Sequence, residues 1–160
     1  MKNLLAVAML SAALFTTACA TSYHPAEYGP LGYSEVRLAP DRWTVTVHAN
    51  SNTTAKEAEQ ILMRRAAELS LERGKRYFVL TGHDQWTRRI YYPSGINYAP
   101  SNEATVSAVA TKEEDAFDAV EIVAETNEYA EGRLSDAARA NLNKFMGTGD
   151  QSALTAAGNR

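Results

Sequence analysis

The chain has 160 residues, 16 of them Lys or Arg and 19 Asp or Glu, for a net charge of −3. That length suits one domain with enough chain to bury a core. No basic block is present: Arg64-Arg65 and Arg88-Arg89 are only pairs, which read as solvated surface and give no footing for nucleic acid. One cysteine, Cys19, excludes an internal disulfide.

The location of that cysteine carries the most information. Lys2 precedes an apolar run over residues 4–15, and Thr16, Thr17, Ala18 and Cys19 close it. The run is shorter than the ~20 residues that span a bilayer, and it fits the apolar region of an export signal. A cysteine behind small residues at this point resembles a bacterial lipoprotein signal, over residues 1–19. The resemblance implies cleavage between Ala18 and Cys19, a diacylglycerol thioether on the Cys19 sulfur and acylation of the new amino group by a fatty acid such as palmitate. Ala20, where an Asp would hold such proteins in the inner membrane, implies the outer membrane, facing the periplasm. Thr16 departs from the Leu or other aliphatic residue usual three positions before the cysteine. Two other readings stand beside this one: Ala18-Cys19-Ala20 as an A-x-A site that releases a soluble periplasmic protein, or an uncleaved anchor.

Residues 20–32 carry Pro25, Gly29, Pro30 and Gly32 and read as a tether between lipid and fold. Residues 33–38 and 43–49 predict a β-hairpin around the turn 39–42, with Pro40 setting φ. In its second strand Trp43, Val45, Val47 and Ala49 alternate with Thr44, Thr46 and His48, the period of one buried face. Residues 54–73 then predict the central helix. Thr54-x-x-Glu57 forms a capping box, Gly74 stops the helix, and Ala55, Ala58, Ile61, Leu62, Ala66 and Leu69 form its apolar stripe. Lys56, Glu57, Gln60, Arg64, Glu68 and Glu72 fall mostly outside that stripe. Tyr77 to Thr81 read as a strand between neighbours.

At this point four blocks in one order resemble a family of small alphaproteobacterial lipoproteins with no assigned function. They are GPLGYSE at 29–35, Trp43-x-Val45, RAAELSLERG at 65–74 and Tyr77-Phe78. The match covers about residues 19–85, and weakly the C-terminal part. It implies an envelope lipoprotein and carries over no catalytic residues.

Residues 85–92 run into Pro93, Gly95 and Pro100 as a loop or a long hairpin connection rich in aromatics. Trp86, Tyr91, Tyr92 and Tyr98, with Arg88 and Arg89, form a candidate contact patch for a periplasmic protein or for peptidoglycan. The simpler reading has the tyrosines capping the edge of the core. Residues 104–111 are small and β-tolerant. Residues 116–126 fit either a helix, capped by Thr111-x-x-Glu114, or a strand; the strand is the reading adopted, because the resembled family places one before its last helix. Ser135 predicts a cap for a final helix over 136–146, with Ala138, Leu142, Phe145 and Met146 as its apolar side, and the remainder reads as a frayed tail.

Chemistry is sparse. His48 and His83-Asp84 end two strands and could share a metal, but no H-x-x-x-H, no G-x-S-x-G elbow, no P-loop and no calcium loop is present. The expectation is therefore an α+β fold: a mainly antiparallel sheet of four or five strands, one long helix across a face and a short C-terminal helix. Its parts are a signal at 1–18, a lipidated tether at 19–32, one domain at 33–146 and a flexible tail at 147–160. The expected function is a lipid-anchored envelope protein, a binding or structural module with no cofactor; the alternative is a periplasmic metal enzyme using His48, His83 and Asp84.

Overall fold

The structure is a computed structural model, and it describes residues 19–147. The expected signal at 1–18 and all but the first residue of the expected tail lie outside the described residues. The fold is α+β. Strands β1 (Gly32–Ala39), β2 (Arg42–His48), β3 (Tyr77–Tyr92), β4 (Gly95–Val109) and β5 (Phe117–Asp118) form one sheet in the order β1-β2-β4-β3-β5. Every adjacent pair is antiparallel. Helices α1 (Ala55–Glu72), α2 (Ala119–Glu125) and α3 (Asp136–Met146) complete it. Because β2 and β3 each run antiparallel to β4, they run parallel to one another, and α1 is the crossover that joins them with β4 inserted between.

Local chemistry sets α1 as the sequence predicts. Thr54 Oγ1 accepts the Glu57 N–H at 3.2 Å, and Glu57 Oε2 accepts the Thr54 N–H at 2.6 Å, so two otherwise orphaned donors are satisfied at once. At the other end Gly74 takes φ +68°. Its N–H reaches Leu71 O, and the Lys75 N–H reaches Ser70 O, both at 2.9 Å, which closes the last turn. The β2 alternation is borne out: Trp43, Val45 and Val47 are buried against α1, beside Ala104 and Val106 of β4 and Phe78 of β3.

Four expectations are corrected. Residues 116–126 are not a strand. Only Phe117 and Asp118 pair, with Tyr77 and Phe78, and α2 follows. Asp118 is the reason. Its Oδ1 accepts the Val120 N–H at 2.9 Å as a helix cap, while its Oδ2 holds Arg76 at 2.8 Å. The helix then brings Ala119 and Val123, one turn apart, into the core together.

Residues 20–32 are not a loose tether but are packed on the domain. Thr21 and Tyr23 are buried. The Thr21 N–H donates to Thr53 Oγ1, and Thr21 Oγ1 accepts the Asn50 N–H, both at 2.8 Å. Tyr129 donates its hydroxyl to Thr21 O at 2.8 Å, and burial pushes that phenol up to about 12. Gly32 has φ +105°, and a Cβ there would sit 2.3 Å from His24 O, so a glycine is required where this segment turns into β1.

The Arg64-Arg65 pair is not solvated surface. Arg64 is 0% exposed. Its Nε donates to Glu68 Oε1 at 2.7 Å, Nη1 to Val123 O at 2.9 Å, and Nη2 to Arg133 O at 2.7 Å. Tyr23 donates its hydroxyl to the other oxygen of Glu68. Burial first, and the Glu68 charge second, push the Tyr23 phenol far above its ordinary range. Next to this network Arg65 makes a two-pronged pair with Glu35 of β1, both contacts 2.6 Å. Ala55, counted in the apolar stripe, is exposed.

Arg64→Ala should lower unfolding stability by about 3–5 kcal/mol, because Glu68 Oε1 and two carbonyls would stay buried without their donor. Urea denaturation checks this, and Arg65→Ala, at a partly solvated site, should cost less.

Candidate functional site

The β3–β4 hairpin is longer than the sheet that supports it. β2 stops at His48, and the Ala49 N–H makes a last bond to Pro100 O at 3.1 Å. Past this level β3 and β4 continue only with each other, Thr87 opposite Pro100 through Tyr92 opposite Gly95, to a turn at Pro93-Ser94. The result is a two-stranded arm reaching about 20 Å beyond the sheet. Isolated two-stranded ribbons are marginal, and Arg88 braces this one at its root. Its Nε donates to Ser101 Oγ at 3.0 Å and its Nη2 to Ala49 O at 3.2 Å.

The arm and its root, where Trp86 lies opposite Ser101, gather all six residues of the candidate patch, on two faces. Arg89, Tyr91 and Tyr98 share the helix side of the pleat; Trp86, Arg88 and Tyr92 share the other. The tyrosines do not cap the core: Tyr91 is 71% and Tyr98 58% exposed, because the arm has left the sheet that α1 covers. Ile96, missed in the sequence, lies directly opposite Tyr91 and is 50% exposed. Once Pro93-Ser94 is recognised as the turn, counting outward pairs the two residues. Such clustered exposure of large apolar groups marks contact surfaces.

The metal set of the alternative reading does not assemble among the described residues. The His48 Nδ1 lies 3.2 Å from Ser101 Oγ, and its ring meets Trp86 edge-on at 6.4 Å. His83 turns to α1 instead, with Nε2 3.0 Å from Glu59 Oε2. A bulge in β3 between Thr81 and Asp84 produces that switch of face. Among the described residues no three His, Cys, Asp or Glu side chains are grouped to hold a metal ion.

A cleft that sequence reading did not reveal lies between α1, β3 and the segment leading into α2. It has a volume of about 760 Å³, within the range of ligand sites. Met63, Leu80, Phe117 and Ile122 make its apolar floor. Glu59, Glu114, Asp115 and Glu125 supply carboxylates, and Lys56 and His83 the basic groups. Glu59 is engaged, its Oε2 accepting from Gln85 Nε2 at 2.8 Å and Asn102 Nδ2 at 2.9 Å. No local motif announces this cleft, since its walls come from three separate stretches, residues 56–63, 80–83 and 114–126.

Cys19 is exposed. Its carbonyl accepts from Asn50 Nδ2 at 2.9 Å, which sets it at the end of the sheet from which the arm departs. Comparison with protein-family models, curated proteins and solved structures finds no match.

Burial first, and the Arg88 charge second, hold the His48 imidazole below its ordinary value. The fold therefore favours neutral His48. This contribution is complete above about pH 6.5 and is lost as the pH falls toward the folded-state value, because the unfolded chain takes up the proton first. The thermal midpoint should fall less between pH 7.5 and 5.5 in His48→Gln than in the wild type, as followed by circular dichroism.

Proposed function

We propose that this chain is a lipid-anchored protein of the cell envelope, held in the outer membrane and facing the periplasm, that works by binding rather than by catalysis. The single observation that carries the anchor is the place of Cys19, the only cysteine, directly behind an apolar run and a small residue. Two or three acyl chains, at about 0.8 kcal/mol per buried CH₂, hold a protein stably where one chain is marginal. The binding role is supported by the arm, whose exposed Tyr91, Ile96 and Tyr98 form one apolar strip beside Arg89. His48 and His83, which the alternative metal site needs together, have separate partners. Because residues 21–23 are packed on the domain, a lipid on Cys19 leaves no long leash. The arm then works close to the membrane surface.

Cys19→Ser should abolish fatty-acid labelling and remove the protein from the membrane fraction; retention of both would sink the anchor. A photo-crosslinking residue in place of Tyr91 or Tyr98 in intact cells should capture a discrete partner. Exchange of the remaining tyrosine for serine should reduce that capture by about tenfold; a pattern unchanged by the exchange would remove the arm from the binding role.

A further inference from the structure

The outer edge of β3 is open over most of its length. On that side β5 covers only Tyr77 and Phe78, and among the described residues 79–92 have no strand beside them. An exposed edge of this length presents a row of backbone donors and acceptors ready to pair with another chain. Two properties of the same edge are complementary. Its far half is the arm, where residues 86–100 carry Arg88 and Arg89 and no acidic residue. Its near half borders the cleft, whose walls hold Glu114, Asp115 and Glu125 above Leu80 and Phe117.

We propose that this edge is the seam of a homodimer, with two copies of β3 paired antiparallel about a twofold axis that crosses the sheet near Gln85 and Trp86. The midpoint of residues 79–92 falls there, so each arm fills the slot beside the partner's residues 79–85 and its tip ends where β5 begins. A twofold axis normal to the sheet keeps both helix layers on the same side. Arg89 and Tyr91 lie on the helix side of the pleat, and the cleft opens on that side as well, so each arm sets a cation and an aromatic ring over the other copy's acidic, apolar cleft. The contact is isologous and closes on itself, which avoids the open filament that a head-to-tail arrangement would produce. It also sets the two Cys19 residues at opposite ends of the joined sheet but at equal height along the twofold axis, compatible with anchors in one membrane parallel to the sheet. The inference rests on the reading of the arm as the binding surface and names its partner as a second copy of this chain.

The test uses unlipidated chain beginning at Cys19, which contains every core residue among the described residues, in sedimentation velocity, with circular dichroism confirming the fold of each variant. The wild type should sediment as a dimer. Arg89→Glu alone, and Glu114→Lys with Asp115→Lys and Glu125→Lys in a second chain, should each weaken association by at least about tenfold. Mixing the two variants should restore it, since both contacts of the mixed dimer then pair opposite charges. A wild type that remains monomeric up to about 100 µM, a dimer that neither variant weakens, or variants that fail to associate when mixed would each overturn the seam. Cellular crosslinks from Tyr91 to some other envelope component, with a monomer in solution, would leave the binding role standing and remove the homodimer alone.

Discussion

The fold depends on a guanidinium buried where three elements meet. Arg64 leaves the side of α1 turned away from the sheet and donates to the end of α2 and to the loop before α3. Glu68, one turn further along the same helix, neutralises it. A lone buried charge of this kind would be strongly unfavourable, and its hydrogen bonds must be met nearly in full. Here they are met by carbonyls from Val123 and Arg133 and by a carboxylate that also accepts from Tyr23. The arrangement ties the N-terminal segment, the central helix and the C-terminal helices into one unit, although they are far apart in the chain. An apolar residue at position 64 could fill the volume but could not dictate which carbonyls approach it.

That second buried face of α1 has a consequence for the sheet. With its helices collected on one side, the sheet keeps its other face and its β3 edge in contact with solvent. The open face is lined by Thr44, Thr46, Thr105 and Ser107, short polar side chains that suit a half-exposed β surface. The β3 edge lacks that defence. It ends in an arm of tyrosines with an isoleucine between them, held at its root by Arg88.

Charge is divided unevenly along that edge. In a chain of net charge −3 the arm is free of carboxylates, while the cleft at the foot of the same strand concentrates them. Opposite charges at the two ends of one strand favour a partner that presents the same strand reversed, since antiparallel pairing lays each end on its complement. A lipid at Cys19, attached to a segment that is itself packed on the domain, would hold such edges at a common distance from a membrane.

Much of the local structure was written in short spacings. Thr54-x-x-Glu57, the apolar steps of α1, Gly74, the Trp43-Val45-Val47 alternation and the Ser135 cap concern groups within a few residues of each other, and local sterics and hydrogen bonds decide them. Where long-range partners decide, sequence reading failed. Arg64 and Glu68 read as surface because the helices that bury them come about 60 residues later. Residues 116–126 fit a strand as well as a helix by spacing alone, and what favours the helix, Arg76 on Asp118 and the core that takes Ala119 and Val123, is assembled only by the tertiary fold. Residues 20–32 read as a tether because Thr21 and Tyr23 find their partners on α1 and beyond. The aromatic and basic residues from Trp86 to Tyr98 stand out in the sequence, but their division between two faces and their projection from the sheet follow from where β2 ends. The sequence by itself therefore determined α1 and α3, their caps and the composition of the arm. The tertiary structure alone decided which charges are buried, which edge is left open and where the acidic cleft lies, because burial and charge complementarity are set by distant contacts that no spacing encodes.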